Sequence, residues 1–228
     1  MVRCERCKDA GYLRANVPFG HPQFGKPIEC ECKTAQKKEA RRRKLWEQSK
    51  IDQQVDFCGA TFETFQFWQD GVGEAYEAAE AFATSQRGWL VLAGRNGCGK
   101  THLAVAIAKR CLDNDQEVLF ATVPDLLDDL RSTFSPRAEG SYEDEFQKMR
   151  EVEVLILDEL GAEASTSWAR EKLYQLLNHR YTRRLSTLIT TNCMLEEFPS
   201  RISSRLSDRS IVRMVIMQNA LDFRKLKV

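Results

Sequence analysis

No stretch of the 228 residues approaches the ~20 consecutive apolar residues that a bilayer-spanning helix needs, and Met1-Val-Arg-Cys4 does not open a secretory leader. These absences exclude a membrane-spanning helix and predict a cytoplasmic location. Net charge is nearly absent too: 34 Lys and Arg stand against 33 Asp and Glu, a balance of +1. Overall charge therefore argues neither for nor against nucleic acid; only local patches bear on it. Proline and glycine are missing from residues 33–50 and 102–112, and both stretches read as helix. What the chain does carry is 43% hydrophobic residues, enough for a real core, in a length that suits one ordinary domain plus a small appendage.

Eight cysteines in a reducing compartment do not read as disulfides. Cys4-x2-Cys7 is followed, after a Gly- and Pro-rich loop, by Cys30-x-Cys32. Two close cysteine pairs joined by a loop have the form of a tetrahedral structural Zn²⁺ site, which folds a segment too small for its own core. Such a closed site leaves no open coordination position, so its role is structural or recognitive. His21, alone in the loop, reads as solvated. Cys58, Cys98, Cys111 and Cys193 read as small buried hydrophobes.

The densest chemistry lies at Gly94-Arg95-Asn96-Gly97-Cys98-Gly99-Lys100-Thr101, the pattern G-x-x-x-x-G-K-[ST] of a phosphate-binding loop. Trp89–Ala93 before it reads as a buried strand, and His102–Leu112 after it as a helix. Glycines let the backbone N–H groups face phosphates, and the helix presents its positive end to them. Lys100 would then reach the β/γ-phosphates and Thr101 the Mg²⁺ ion.

A second apolar run, Val152–Leu157, ends in Asp158-Glu159, as expected for a buried parallel strand delivering acids at its C-terminal end. Asp158 suits Mg²⁺, and Glu159 suits the polarisation of an attacking water, which favours hydrolysis over transfer to a metabolite. A third strand, 186–191, ends on Asn192, whose amide can orient water or meet the γ-phosphate. Beyond it, Arg201, Arg205 and Arg209 recur every four residues, a spacing that puts them on one helical face. Strands are predicted at 89–93, 117–122, 152–157, 186–191 and 211–217, forming a parallel sheet flanked by helices.

In this order the phosphate loop, the Asp-Glu strand, the Asn-ended strand and the late arginines resemble the AAA+ ATPases. Thr122–Phe134, Leu157–Glu163, Thr190-Thr-Asn192 and Ser204-Arg-Leu206 narrow the resemblance to the DnaC/DnaI-type replicative helicase loaders, with the IstB transposition helpers close to them. The resemblance covers most of 58–228, and the cysteine-bearing N-terminal module is similar to that of the DnaI-type loaders. It implies an ATP-hydrolysing AAA+ domain in which Lys100 and Thr101 are the Walker A pair, Asp158 and Glu159 the Walker B pair, and Asn192 sensor 1. Gly94 to Gly99 and His102 complete the nucleotide contacts. Arg205 is the trans-acting finger, with Arg201 and Arg209 as alternatives, and Arg224 approaches the nucleotide. The family's single-stranded DNA-binding insertion corresponds to about 124–150, where Arg131, Ser132, Thr133 and Lys148 are the candidate contacts among many acids.

The implied architecture is a zinc-ribbon-like module at 1–33, a basic helical connector at 34–57 and an ATPase domain at 58–228 with a reduced or absent lid. From Lys33 to Lys50 the chain carries Lys33, Lys37, Lys38, Arg41, Arg42, Arg43, Lys44 and Lys50 against Glu39 and Glu47. This stretch can neutralise phosphates, dock on an acidic partner, or merely face solvent. The implied partners are a hexameric replicative helicase, single-stranded DNA and further copies of the chain. The alternative is an ATPase that regulates transposition.

Overall fold

The computed structural model describes residues 4–53, 57–66, 71–132, 142–161, 166–217, 220 and 222–223; Thr133 and Arg224 lie outside them. The chain forms two compact units, Met1–Lys44 and Leu45–Val228.

In the first unit β1 (Tyr12–Arg14) pairs antiparallel with β2 (Pro27–Glu29), Tyr12 facing Glu29. The basic stretch without proline or glycine is α1 (Glu31–Gln48), a single helix of 18 residues.

The second unit is built on β3 (Trp89–Gly94), β4 (Val118–Thr122), β5 (Val154–Asp158), β6 (Ser186–Thr191) and β7 (Val212–Met217). All their pairings are parallel, and the order is β4-β5-β6-β3-β7. The strands begin within two residues of the predicted positions. Near-continuous apolar strands demand cover on both faces, and the helices provide it. Leu90, Leu92, Phe120, Ile156 and Leu188 pack with α2 (Gly73–Ser85) and α3 (Lys100–Asp113). Their neighbours Trp89, Val91, Leu119, Leu155 and Ile189 point the other way, into a second core. That core is closed by α4 (Val123–Ser132), α5 (Tyr142–Glu151), α6 (Ser167–Thr182) and α7 (Ser200–Leu206).

This topology places the site. β5, β6 and β3 are adjacent, so their C-terminal ends, at Asp158, Thr191 and Gly94, share one edge of the sheet. From β3 the chain enters α3 and crosses to the far edge at β4, leaving a crevice at that end, where open α/β sheets hold ligands.

Candidate nucleotide site and cysteine cluster

The loop leaves β3 at Gly94 and enters α3 through Gly99, the residue preceding the helix, at φ +98°. A Cβ at Gly99 would lie 2.7 Å from the Phe65 ring, so only glycine fits there. Gly97, at φ +78°, is equally restricted, because a Cβ would run into the Asp222 carboxylate. The Phe223 N–H donates to the Gly97 carbonyl at 3.0 Å, so Asp222 and Phe223 lie against the loop. Cys98 is fully buried, with its sulfur 4.0 Å from that of Met217.

Lys100 begins α3 and is buried; its ammonium donates to the carbonyls of Gly94 at 2.8 Å and Arg95 at 2.9 Å. Arg95 and Asn96 are exposed on the loop. The Thr101 hydroxyl donates to Asp158 Oδ2 at 2.9 Å, joining the loop to β5. Burial pushes the Asp158 carboxyl above its ordinary range, while hydrogen bonds from Thr190 and Thr101 pull it down.

Thr190, to which the sequence reading assigned no role, organises this corner. Its hydroxyl donates to Asp158 Oδ1 at 2.6 Å and accepts the Glu159 N–H at 3.0 Å, while its carbonyl accepts the Leu160 N–H at 2.9 Å. Glu159 itself is exposed, with a left-handed φ of +61° that costs a non-glycine residue roughly 1–2 kcal/mol. The contacts of Thr190 hold that turn. Nothing local in the sequence separates Thr190 from Thr187 and Thr191 on the same strand.

Asn192 is exposed just past β6, and its amide nitrogen is 3.5 Å from Asn96 Oδ1 on the loop. His102 faces the turn at Thr61 and Thr64: Nε2 is 2.9 Å from the Thr61 carbonyl and 3.3 Å from the Thr64 hydroxyl. Its ring meets Phe65 edge-on at 5.3 Å, and burial lowers its pKa.

The structure thus brings Gly94–Thr101, Asp158, Glu159 and Asn192 to one edge of the sheet, with His102 behind the loop. Arg205 is elsewhere, on α7 against α6, and its hydrogen bonds go to Asn178, Tyr174 and the Arg201 carbonyl. α7 ends at Leu206, so Arg209 lies past it and does not share a helical face with Arg201 and Arg205, because the chain turns at Ser207. Of the DNA candidates, Arg131 is paired with Asp128 at 3.1 Å and lies over the Trp168 ring. Ser132 bonds the Asp129 carbonyl at 2.7 Å. Lys148 borders a cavity of about 160 Å³ together with Leu45, Glu117 and Glu151.

In the first unit the Cys4 and Cys30 sulfurs are 3.8 Å apart, those of Cys7 and Cys32 3.3 Å, and all four lie within 4.8 Å of one another. Four thiolates bound tetrahedrally at about 2.3 Å to Zn²⁺ would be roughly 3.8 Å apart, so the donor set fits that ion. The Cys7 backbone N–H, then the Cys7 and Cys32 thiols, hold the Cys4 thiol down to about 7, and neighbouring thiols push Cys32 upward. Four thiols so close cannot all ionise without a cation among them. The Gly11 N–H donates to the Cys7 sulfur at 3.3 Å, an outer contact that orients the donor. Of the other cysteines, Cys98 and Cys111 are buried and Cys193 half-buried, but Cys58 is exposed because it sits in a surface turn before Gly59.

The family described as IstB-like ATP binding protein matches residues 32–218 of the chain. The chain belongs to that family. The chain is similar to the Escherichia coli K12 replicative helicase loader DnaC, 27% identical over 153 residues, and to the DnaC of Buchnera aphidicola from Schizaphis graminum, 25% identical over 156. The alignments cover 65% and 67% of this chain, and the chain spans 62% and 63% of those two relatives. Two solved structures share the fold. A DnaC helicase loader is matched at TM-score 0.62 and 22% identity, over 71% of this chain and 98% of that one. DnaI is matched at TM-score 0.58 and 24% identity, over 72% and 90%.

Proposed function

We propose that the chain is an ATPase that loads a hexameric replicative helicase onto single-stranded DNA, with Mg²⁺ at the nucleotide and Zn²⁺ in the N-terminal module. The observation that carries the ATPase reading is the hydrogen-bonded set Thr101–Asp158–Thr190–Glu159 beside a complete phosphate loop. The loop N–H groups and the Lys100 ammonium hold the phosphates, with Arg95, Asn96 and His102 at the margin of the nucleotide site. Thr101 and Asp158 would hold the Mg²⁺, which would supply positive charge against the phosphates. Glu159 orients a water and takes its proton, and Asn192 fixes the γ-phosphate side. Arg205, which is not at its own subunit's loop, serves a neighbouring copy, so the chain works as an assembly. Arg224 remains a proposed nucleotide contact, and Arg131, Ser132, Thr133 and Lys148 the proposed DNA contacts. Replacing Thr190 by Val removes the hydroxyl at nearly constant volume. Hydrogen bonds to charged groups are worth about 1.5–3 kcal/mol, so kcat should fall roughly 10- to 100-fold with the fold intact by circular dichroism.

The first unit supports the helicase side of the reading. Phe19 is 90% exposed and Phe24 49%, their rings edge-to-face at 5.3 Å, so the module offers aromatic anchors that its own small core does not use. Cys4→Ser should release the metal and abolish co-elution with the helicase while ATP binding persists. Phe19→Ser should keep about one zinc per chain, by metal analysis, and still weaken the helicase complex at least 10-fold. Helicase binding that survives both substitutions would remove the module from this role.

Membership in the IstB-like family keeps one other reading, assembly on duplex DNA to recruit a transposase. Pulldowns against the cognate helicase and transposase separate the two.

A further inference from the structure

The Arg205 guanidinium has an unusual set of partners for an arginine lodged against a helix. It carries five N–H donors. Nε–H donates to Asn178 Oδ1 at 3.1 Å, and an N–H of Nη2 reaches the same oxygen. Nη2 also donates to the Tyr174 hydroxyl at 3.1 Å, and Nη1 to the Arg201 carbonyl at 2.6 Å. Its Cζ lies 4.8 Å from the Tyr174 ring centre and 5.7 Å from that of Tyr181.

Every one of those acceptors is neutral. Among the described residues Arg205 forms no ion pair; the Asp208 carboxylate, two residues past α7, is engaged by Tyr181 and Ser210 instead. An arginine that only fastened α7 to α6 would gain more from a carboxylate, because charge-assisted pairs are the stronger ones. Here an amide, a phenol and a carbonyl fix the geometry and leave the positive charge uncompensated. The neighbouring surface is open and cationic: a groove of about 400 Å³ is lined by Tyr174 and Asn178 together with Arg150 and Arg183.

We infer that Tyr174 and Asn178 are positioning residues that set Arg205 for the nucleotide of a second copy of this chain. The inference rests on the assignment of Arg205 proposed above. A long side chain loses about 2 kcal/mol of rotamer freedom when it is fixed. The α6 cradle meets that cost within the subunit, before any neighbour docks. One N–H of Nη1 and a charge with no carboxylate partner are then left for the neighbour.

The test uses full-length protein and steady-state ATP hydrolysis, with Arg205→Ala and Lys100→Ala as references. Asn178→Ala should lower kcat roughly 10- to 100-fold, the usual cost of a misplaced catalytic group, with KM for ATP changed less than about two-fold. Asn178→Asp should also lower kcat, since it holds the guanidinium but neutralises it. Tyr174→Phe, which keeps the ring, should lose less. The deciding arm is mixing. Lys100→Ala copies hydrolyse nothing but bring an intact Arg205, so adding them to Asn178→Ala protein should restore turnover in the latter's sites. Damage to α6 that disabled the variant's own site would persist in the mixture. Wild-type turnover by Asn178→Ala, or a defect that Lys100→Ala copies relieve in Arg205→Ala but not in Asn178→Ala, overturns the positioning role. Normal turnover by Arg205→Ala would instead remove the assignment of Arg205 itself, and the cradle with it.

Discussion

Exchanging Glu159 for Gln is expected to stop ATP turnover while leaving ATP bound. kcat should fall by about 10²- to 10⁴-fold, the usual contribution of a positioned general base, and the Kd of a fluorescent ATP analogue should stay within about two-fold. The expectation follows from the geometry. Glu159 is the exposed acid of the pair, while Asp158 is buried beneath it and engaged by Thr101 and Thr190. Its backbone is held left-handed by the Thr190 hydroxyl rather than by its own side chain, so glutamine can occupy the same turn. The substitution therefore removes a proton acceptor and little else. Asp158→Asn should behave differently, because it strips charge from the Mg²⁺ side and weakens Mg²⁺-dependent binding as well as turnover. Single-turnover hydrolysis with radiolabelled ATP separates the two. Undiminished hydrolysis by Glu159→Gln would mean that the water is activated elsewhere.

The largest expected effect on stability lies far from the nucleotide, at Arg180. This arginine is fully buried, and burial pushes its pKa down to about 9, so it stays charged at neutral pH. Its donors go to the carbonyls of Met149, Arg150 and Val152 at the C-terminal end of α5, to the Ser186 carbonyl, and to the Thr187 hydroxyl at 3.0 Å. One side chain thus satisfies the open end of a helix and the first residues of β6 together. Arg180→Leu would remove the donors that these carbonyls accept from, and a buried acceptor left unsatisfied costs about 1–3 kcal/mol. A total loss of roughly 3–5 kcal/mol is expected, a drop in Tm of about 6–20 °C for a chain of this size. Arg180→Lys should fall in between, since an ammonium reaches fewer of the carbonyls. Thermal denaturation measures both, and a Tm unchanged in Arg180→Leu would show that α5 does not depend on this cap.

The legible parts of this protein are those in which chemistry and local pattern coincide. The strand positions, the glycine loop and the Asp-Glu pair could all be read because apolar runs ending on polar residues are a local signal. Thr190 and Arg180 could not, since their roles come from strands and helices that meet only in the folded chain. Thr190 acts across the β5–β6 pairing, and Arg180 spans from α6 to α5. The spacing of Arg201, Arg205 and Arg209 misled for a related reason: periodicity holds only while the helix continues, and α7 stops at Leu206. The cysteine pairs were legible as one cluster because each pair is held together by a short local spacing. Cys58 was not, since exposure of a single small residue leaves no pattern in sequence.

The proposed function is ATP-driven delivery of a helicase to single-stranded DNA. Its most direct test is to mix the full-length chain with the cognate hexameric helicase and a covalently closed circular single strand, and to count helicase rings retained on the circle after purification. ATP should raise the number of loaded rings severalfold over nucleotide-free protein, and the Lys100→Ala variant should show no such gain. Loading that is equal with and without the chain, or equal with the Lys100→Ala variant, would contradict it.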